Sequence, residues 1–194
     1  MITKYVVSWV LCYLQRKGVI STEKNEMELY KYGVEISLSS IISFLEILFI
    51  GIATSHFIES ILFLVVFIFI RSFTGGFHAN TYLKCNLVML ISFIAIVIIY
   101  ELLRGHINWI YYLMVCGFSV LVVSAFSPIE NIYKPINVDD KFKFKIIGIL
   151  LTGIFSMIGV LLTNHNIYFG NFIILTVCLV AIFIIVSKVL GRGD

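Results

Sequence analysis

The chain has 194 residues, of which 60% are hydrophobic and only 13% charged, and its net charge at pH 7 is +3. An ordinary soluble domain carries roughly 25% charged residues, so a soluble globule is excluded. With no basic stripe on a soluble element, a nucleic-acid partner is excluded too.

In chain order, the first 17 residues place Ile2, Tyr5, Val6, Trp9, Val10 and Tyr13 at helical spacing, with Lys4, Ser8, Arg16 and Lys17 elsewhere. This pattern predicts an amphipathic helix lying in the membrane interface. A cleaved signal peptide fits less well, because the apolar residues are periodic and no small-residue cleavage site follows. Gly18 can end this helix, and Ser21 or Thr22 can cap a second, short one with Glu23 and Glu26 in its first turn.

A bilayer-spanning helix needs about 20 apolar residues. Six such stretches are expected, at 35–54, 57–73, 86–103, 107–126, 146–163 and 167–187, the first two joined by a tight hairpin around Ser55 and His56. The predicted fold class is therefore an all-α integral membrane protein with six transmembrane helices plus an amphipathic N-terminal interfacial helix. Pro128 and Pro135 stand close together and no Gly/Ser or Pro-rich linker divides the sequence, so 1–194 reads as one domain, 1–33 interfacial and 34–190 the bundle.

Basic residues accumulate on the cytoplasmic side of a membrane. Before, between and after the expected spans, lysines and arginines number 5, 0, 2, 1, 4, 0 and 2, which accounts for all 14. That alternation puts both termini in the cytoplasm of a bacterial cell membrane, and a five-span reading would break it. No internal repeat is visible, which argues against a transporter built from inverted halves.

The four cysteines are widely spaced, with no C-x-x-C pair or Cys/His cluster, so neither a disulfide framework, a metal site nor a cofactor is expected. Cys12, Cys116 and Cys178 read as small apolar groups packed inside helices. Cys85 differs in its neighbours.

It closes the stretch from Arg71 to Cys85, which links the second and third spans and concentrates reactive side chains in a chain that has few. Gly75 and Gly76 allow backbone angles closed to other residues and are expected to break the helix. His78 can act as a base near neutral pH. Cys85 falls at the start of the third span, where unpaired N–H groups, the helix dipole and Lys84 favour negative charge on sulfur. An interfacial loop also carries Arg, His and Lys simply to meet lipid head groups, so the residue types alone leave both readings open.

Arg71, Gly75, Gly76, His78, Ala79 and Cys85, in this order and spacing, resemble the signature of the accessory gene regulator protein B (AgrB) family of membrane cysteine endopeptidases. Tyr32-Gly33-Val34-Glu35 and Ser127-Pro128-Ile129-Glu130-Asn131 with Pro135 support the likeness, which spans nearly the whole chain. The resemblance implies Cys85 as nucleophile and His78 as its base. The implied partner is an AgrD-like peptide precursor in the lipid bilayer, cut through a thioester so that a cyclic quorum-sensing peptide can close. A homodimer is compatible with it. The rival, from another class, is a small transporter that exports such a peptide uncut.

Three further groups are candidates for support or substrate binding. Glu35, Ser39, Ser43 and Glu46 share one face of the first span, and Glu35 is placed to orient His78 or pair with Arg71. Arg71 itself can bind a substrate carboxylate or carbonyl, or a lipid phosphate. Lys141, Lys143 and Lys145 can attract an acidic precursor tail, with the ordinary positive-inside anchor as the alternative. His56, His106 and His165 fall in outer gaps, away from this chemistry.

Overall fold

A computed structural model of the chain describes residues 2–18, 24–76, 82–103, 109–129, 138–165 and 168–190. It is all-helical: α1 (Ile2–Arg16), α2 (Lys24–Ala53), α3 (Phe57–Thr74), α4 (Tyr82–Leu103), α5 (Trp109–Phe126), α6 (Val138–Asn164) and α7 (Phe169–Val189). Among the described residues five helices, α2, α3, α4, α6 and α7, are long and apolar enough to cross a membrane, and Ile110–Phe126 is a shorter apolar helix. The protein is thus a multi-pass membrane protein.

Two expectations are corrected. The short helix expected before the first span is not separate, because α2 runs unbroken from Lys24 to Ala53. Gly33, where the two helices were expected to part, does not break it, since one glycine costs a helix only about 1 kcal/mol. The proposed caps Ser21 and Thr22 lie outside the described residues. Cys12 does not pack inside the protein: it is exposed on α1, whereas Cys116 is buried and Cys178 half-buried.

On α1 the expected apolar stripe is the outer one. Tyr5, Trp9 and Tyr13 are exposed, Trp9 and Tyr13 stacking with ring centroids 6.1 Å apart, and it is Val7 that is buried. Gly18 at φ 71 follows, with its N–H donated to the Gln15 carbonyl. The hairpin between α2 and α3 forms where expected. Ser55 takes φ 63, and the His56 N–H donates to the Gly51 carbonyl at 2.7 Å. His56 Nε2 lies 3.0 Å from Glu101, which fastens this turn to the last turn of α4.

α7 is the centre. It is apolar on every side, the pattern of a helix surrounded by others, and it packs against α3, α4, α5 and α6. Phe172, Ile174, Val177, Ala181 and Ile184 are almost fully buried. An aromatic row from Phe63 through Phe93 and Phe172 to Tyr100 binds α3, α4 and α7 together, with centroid spacings of 5.3, 6.2 and 5.4 Å.

In lipid, where apolar contact alone gives helices little reason to associate, small residues bring backbones together. Gly170 does so here, because a Cβ at that position would meet the Gly159 carbonyl and the Thr163 backbone of α6. Beside it, the Thr163 hydroxyl reaches Asn171 Oδ1 at 2.8 Å. Gly170→Ala gains about 0.5–1 kcal/mol of helix preference but overpacks a backbone contact, which costs about 1–3 kcal/mol. A lower thermal unfolding midpoint in detergent is expected. Gly117→Ala, whose Cβ meets nothing within 4 Å, is expected to hold or raise the midpoint.

Candidate active site at the junction of α3 and α4

α3 ends at Thr74 because the next two residues leave the helical region. Gly75 has φ 71 and ψ −151, and Gly76 has φ 140. The Gly75 N–H still donates to the Arg71 carbonyl at 3.0 Å, closing the last turn. Segment 127–129, far away in sequence, seals this end. The Ile129 N–H donates to the Thr74 carbonyl at 2.9 Å, and a Cβ on Gly75 would collide with the Ile129 carbonyl oxygen. Thr74 is fully buried, and α6 accommodates it with Gly148, where a Cβ would stand 2.9 Å from the Thr74 methyl. The Gly-Gly break expected from the sequence is therefore real, and Ile129 is a partner that reading missed.

α4 begins at Tyr82, so Cys85 lies in its first turn. Arg71, in the last turn of α3, brings its guanidinium within hydrogen-bonding range of the Cys85 sulfur. Two residues 14 apart in sequence are thereby joined. The guanidinium carbon also lies 5.1 Å from the Phe67 ring centroid and 5.9 Å from that of Phe183 on α7. His78 lies outside the described residues, and so does Ala79.

The next residue on α4 adds a contact with α2. Ser39 Oγ donates to Asn86 Oδ1 at 2.7 Å. Glu35 is half-buried one turn before Ser39, and Ser43 is buried one turn after it, so the polar face of α2 turns inward as its spacing implied. Asn86 was missed as a candidate, although an amide inside an apolar run is itself a signal.

The three lysines stand differently from a loop. α6 starts at Val138, which puts Lys141, Lys143 and Lys145 on its first turns. At about 100° per residue, Lys141 and Lys145 share a face and Lys143 points away from them. Lys143 is exposed and pairs with Asp140 at 3.2 Å.

The sequence profile of accessory gene regulator B matches residues 7–184. The chain belongs to the accessory gene regulator B family. It is 27% identical over 133 residues to an AgrB-like protein of Listeria monocytogenes serovar 1/2a, covering 66% of this chain and 64% of that one. It is 22% identical over 139 residues to protein FsrB of Enterococcus faecalis, covering 70% and 55%. AgrB-like protein 2 of Clostridium perfringens is 22% identical over 129 residues, covering 64% and 60%. The matched stretch thus spans less than two thirds of the length of these relatives. No solved structure matches the chain.

Proposed function

We propose that this family member is a membrane cysteine endopeptidase that trims an AgrD-like precursor toward a cyclic quorum-sensing peptide. The observation that carries the reading is the Cys85 thiol beside the Arg71 guanidinium, inside the stretch that resembles the family signature. A thiol in an apolar helix has no structural need of a cation, whereas a nucleophilic sulfur gains from one.

In the first step the Cys85 sulfur attacks the scissile carbonyl carbon as His78 takes the thiol proton. The C–S bond forms, the C–N bond breaks, and His78 passes the proton to the departing amine, which leaves with the C-terminal tail. In the second step a Cys or Ser side chain of the retained peptide attacks the thioester. Its proton returns through His78 to the Cys85 sulfur, so the enzyme is restored and a thiolactone or lactone ring is closed. Ring closure outruns hydrolysis where the reacting groups are held together and water is kept out. Arg71, beside Cys85, is assigned to the carbonyl oxygen as it gains charge, a role that its N–H groups suit. Denaturing the enzyme during turnover should recover a precursor fragment on Cys85, released by hydroxylamine. A cleaving enzyme that never carries such an adduct would overturn the thioester route.

The topology proposed with it is six spans with both termini cytoplasmic, α1 in the interface and Cys85 on the inner side. Its support is the alternation of basic residues, the exposed Tyr5, Trp9 and Tyr13 face of α1 and the length of α5, which at 18 residues spans about 27 Å against a core of about 30 Å. Single cysteines at exposed Lys84 and Lys141 in a cysteine-free background should resist an impermeant maleimide on intact cells, while Thr54 and His165 variants react. The reverse pattern would invert the topology.

Substrate capture is assigned to the Lys141 and Lys145 face. Replacing both with Gln should raise KM for an acidic-tailed precursor about three- to tenfold and flatten its salt dependence. Lys143→Gln should do less, since it points away from that face. A salt profile unchanged by the double replacement would leave these lysines only as membrane anchors.

A further inference from the structure

Arg71 is the single charged residue of α3 after Glu59, and three separate parts of the fold converge on it. Phe67, one turn earlier on the same helix and 2% exposed, lies under its guanidinium. Phe183 approaches from α7, more than 100 residues further along the chain. The two rings meet edge to face, centroids 6.0 Å apart and planes at 85°. Gly76 borders the same group, for a Cβ there would stand 3.9 Å from Arg71 Nε. The guanidinium also interacts with Cys85, through charge and a side-chain hydrogen bond.

A guanidinium is a flat ion with weakly hydrated faces and N–H donors around its edge, so aromatic rings can hold it while its edge stays free for hydrogen bonds. An ammonium in its place would gain less from two rings and could not present a planar edge. Apolar packing alone would not require aromatic residues at both 67 and 183, whereas fixing a cation does. We infer that Phe183 is a positioning residue: with Phe67 it holds the Arg71 guanidinium so that its N–H edge stays on the Cys85 sulfur and on the substrate carbonyl oxygen. The inference rests on the peptidase reading for the carbonyl part, and on the ring contacts of Arg71 together with its interaction with Cys85 for the sulfur part. Phe183 is assigned to act through Arg71.

The test uses the full-length protein in nanodiscs with Cys12, Cys116 and Cys178 replaced, leaving Cys85 as the one thiol. Two rates are read: cleavage of the precursor, resolved into kcat and KM, and alkylation of Cys85 by iodoacetamide across pH. Phe183→Leu keeps an apolar side chain of similar bulk but loses the ring. It should lower kcat by about two- to thirtyfold, the span of a cation–π contact from exposed to desolvated settings, with KM little changed. Its alkylation profile should shift toward that of Arg71→Ala. Phe183→Tyr keeps the ring and should recover most of both rates. In an Arg71→Ala background, Phe183→Leu should add no further loss, because the group it positions is gone.

A Phe183→Leu protein with wild-type kcat and alkylation would overturn the inference. So would equal losses in the Leu and Tyr variants, or full additivity with Arg71→Ala, each of which marks a packing role. Thermal midpoints of each variant separate these results from misfolding. If the wild-type protein does not cleave precursor, the peptidase reading fails, and the alkylation series still decides whether Phe183 positions Arg71 against Cys85.

Discussion

Cys85→Ala should abolish precursor cleavage while precursor still binds, and His78→Ala should lower the rate by about 10²–10⁴-fold, the usual contribution of a general base. The two losses differ in kind. Without Cys85 there is no nucleophile and no thioester, so no residual turnover by this route remains. Without His78 the thiol must lose its proton to water, and slow acylation of Cys85 persists. Seven residues along an unbroken helix would hold the two groups roughly 10 Å apart, while direct proton transfer needs about 3 Å. We expect His78, in the stretch between Gly76 and the start of α4 at Tyr82, to reach back over the first turn of α4. Cleavage assays on membranes with matched protein levels, together with crosslinking of precursor to the Cys85→Ala protein, check both variants. Normal cleavage by a well-inserted Cys85→Ala protein would sink the mechanism and favour export of an uncut peptide.

Gly75→Ala should also be damaging, for a reason that lies in the backbone. At φ 71 and ψ −151 an L-residue other than glycine is held in a sparsely populated region at a cost of about 1–3 kcal/mol. The new methyl group would also run into the carbonyl oxygen of Ile129, and no side-chain replacement at position 129 removes a backbone oxygen. Relief requires the turn after α3 to move, and Arg71 lies within one turn of it. The expected result is a lower unfolding midpoint and a kcat reduced by more than about tenfold, since a displacement near 1 Å at reacting groups can cost 10²-fold. Unchanged kcat and midpoint would show that this bend is not needed for the site.

Much of this was legible in the sequence because membrane insertion is governed by local composition. Long apolar runs, the tight turn at Ser55 and His56, the glycine pair that ends α3 and the inward polar face of α2 each depend on residues within a turn or two of each other, where propensity and periodicity act. The placement of Cys85 at the start of α4 follows from the same local rules, and the family signature singled out Arg71 beside it. Charge alternation likewise needs only the order of lysines along the chain.

The partners of these residues were not legible, because they arrive from elements distant in sequence. Nothing near Phe183 marks it as a neighbour of Arg71, and nothing near Ile129 says that its carbonyl oxygen fills the space a side chain at Gly75 would need. A phenylalanine reads the same whether it faces lipid, another phenylalanine or a cation. Only the packing of α7 at the centre of the bundle decides among these, since contact in a helical membrane protein is set by which faces and small residues let backbones approach. The sequence by itself therefore determined the long apolar helices, the break after α3 and which side chains are candidates for chemistry, and the tertiary structure decided what stands beside them.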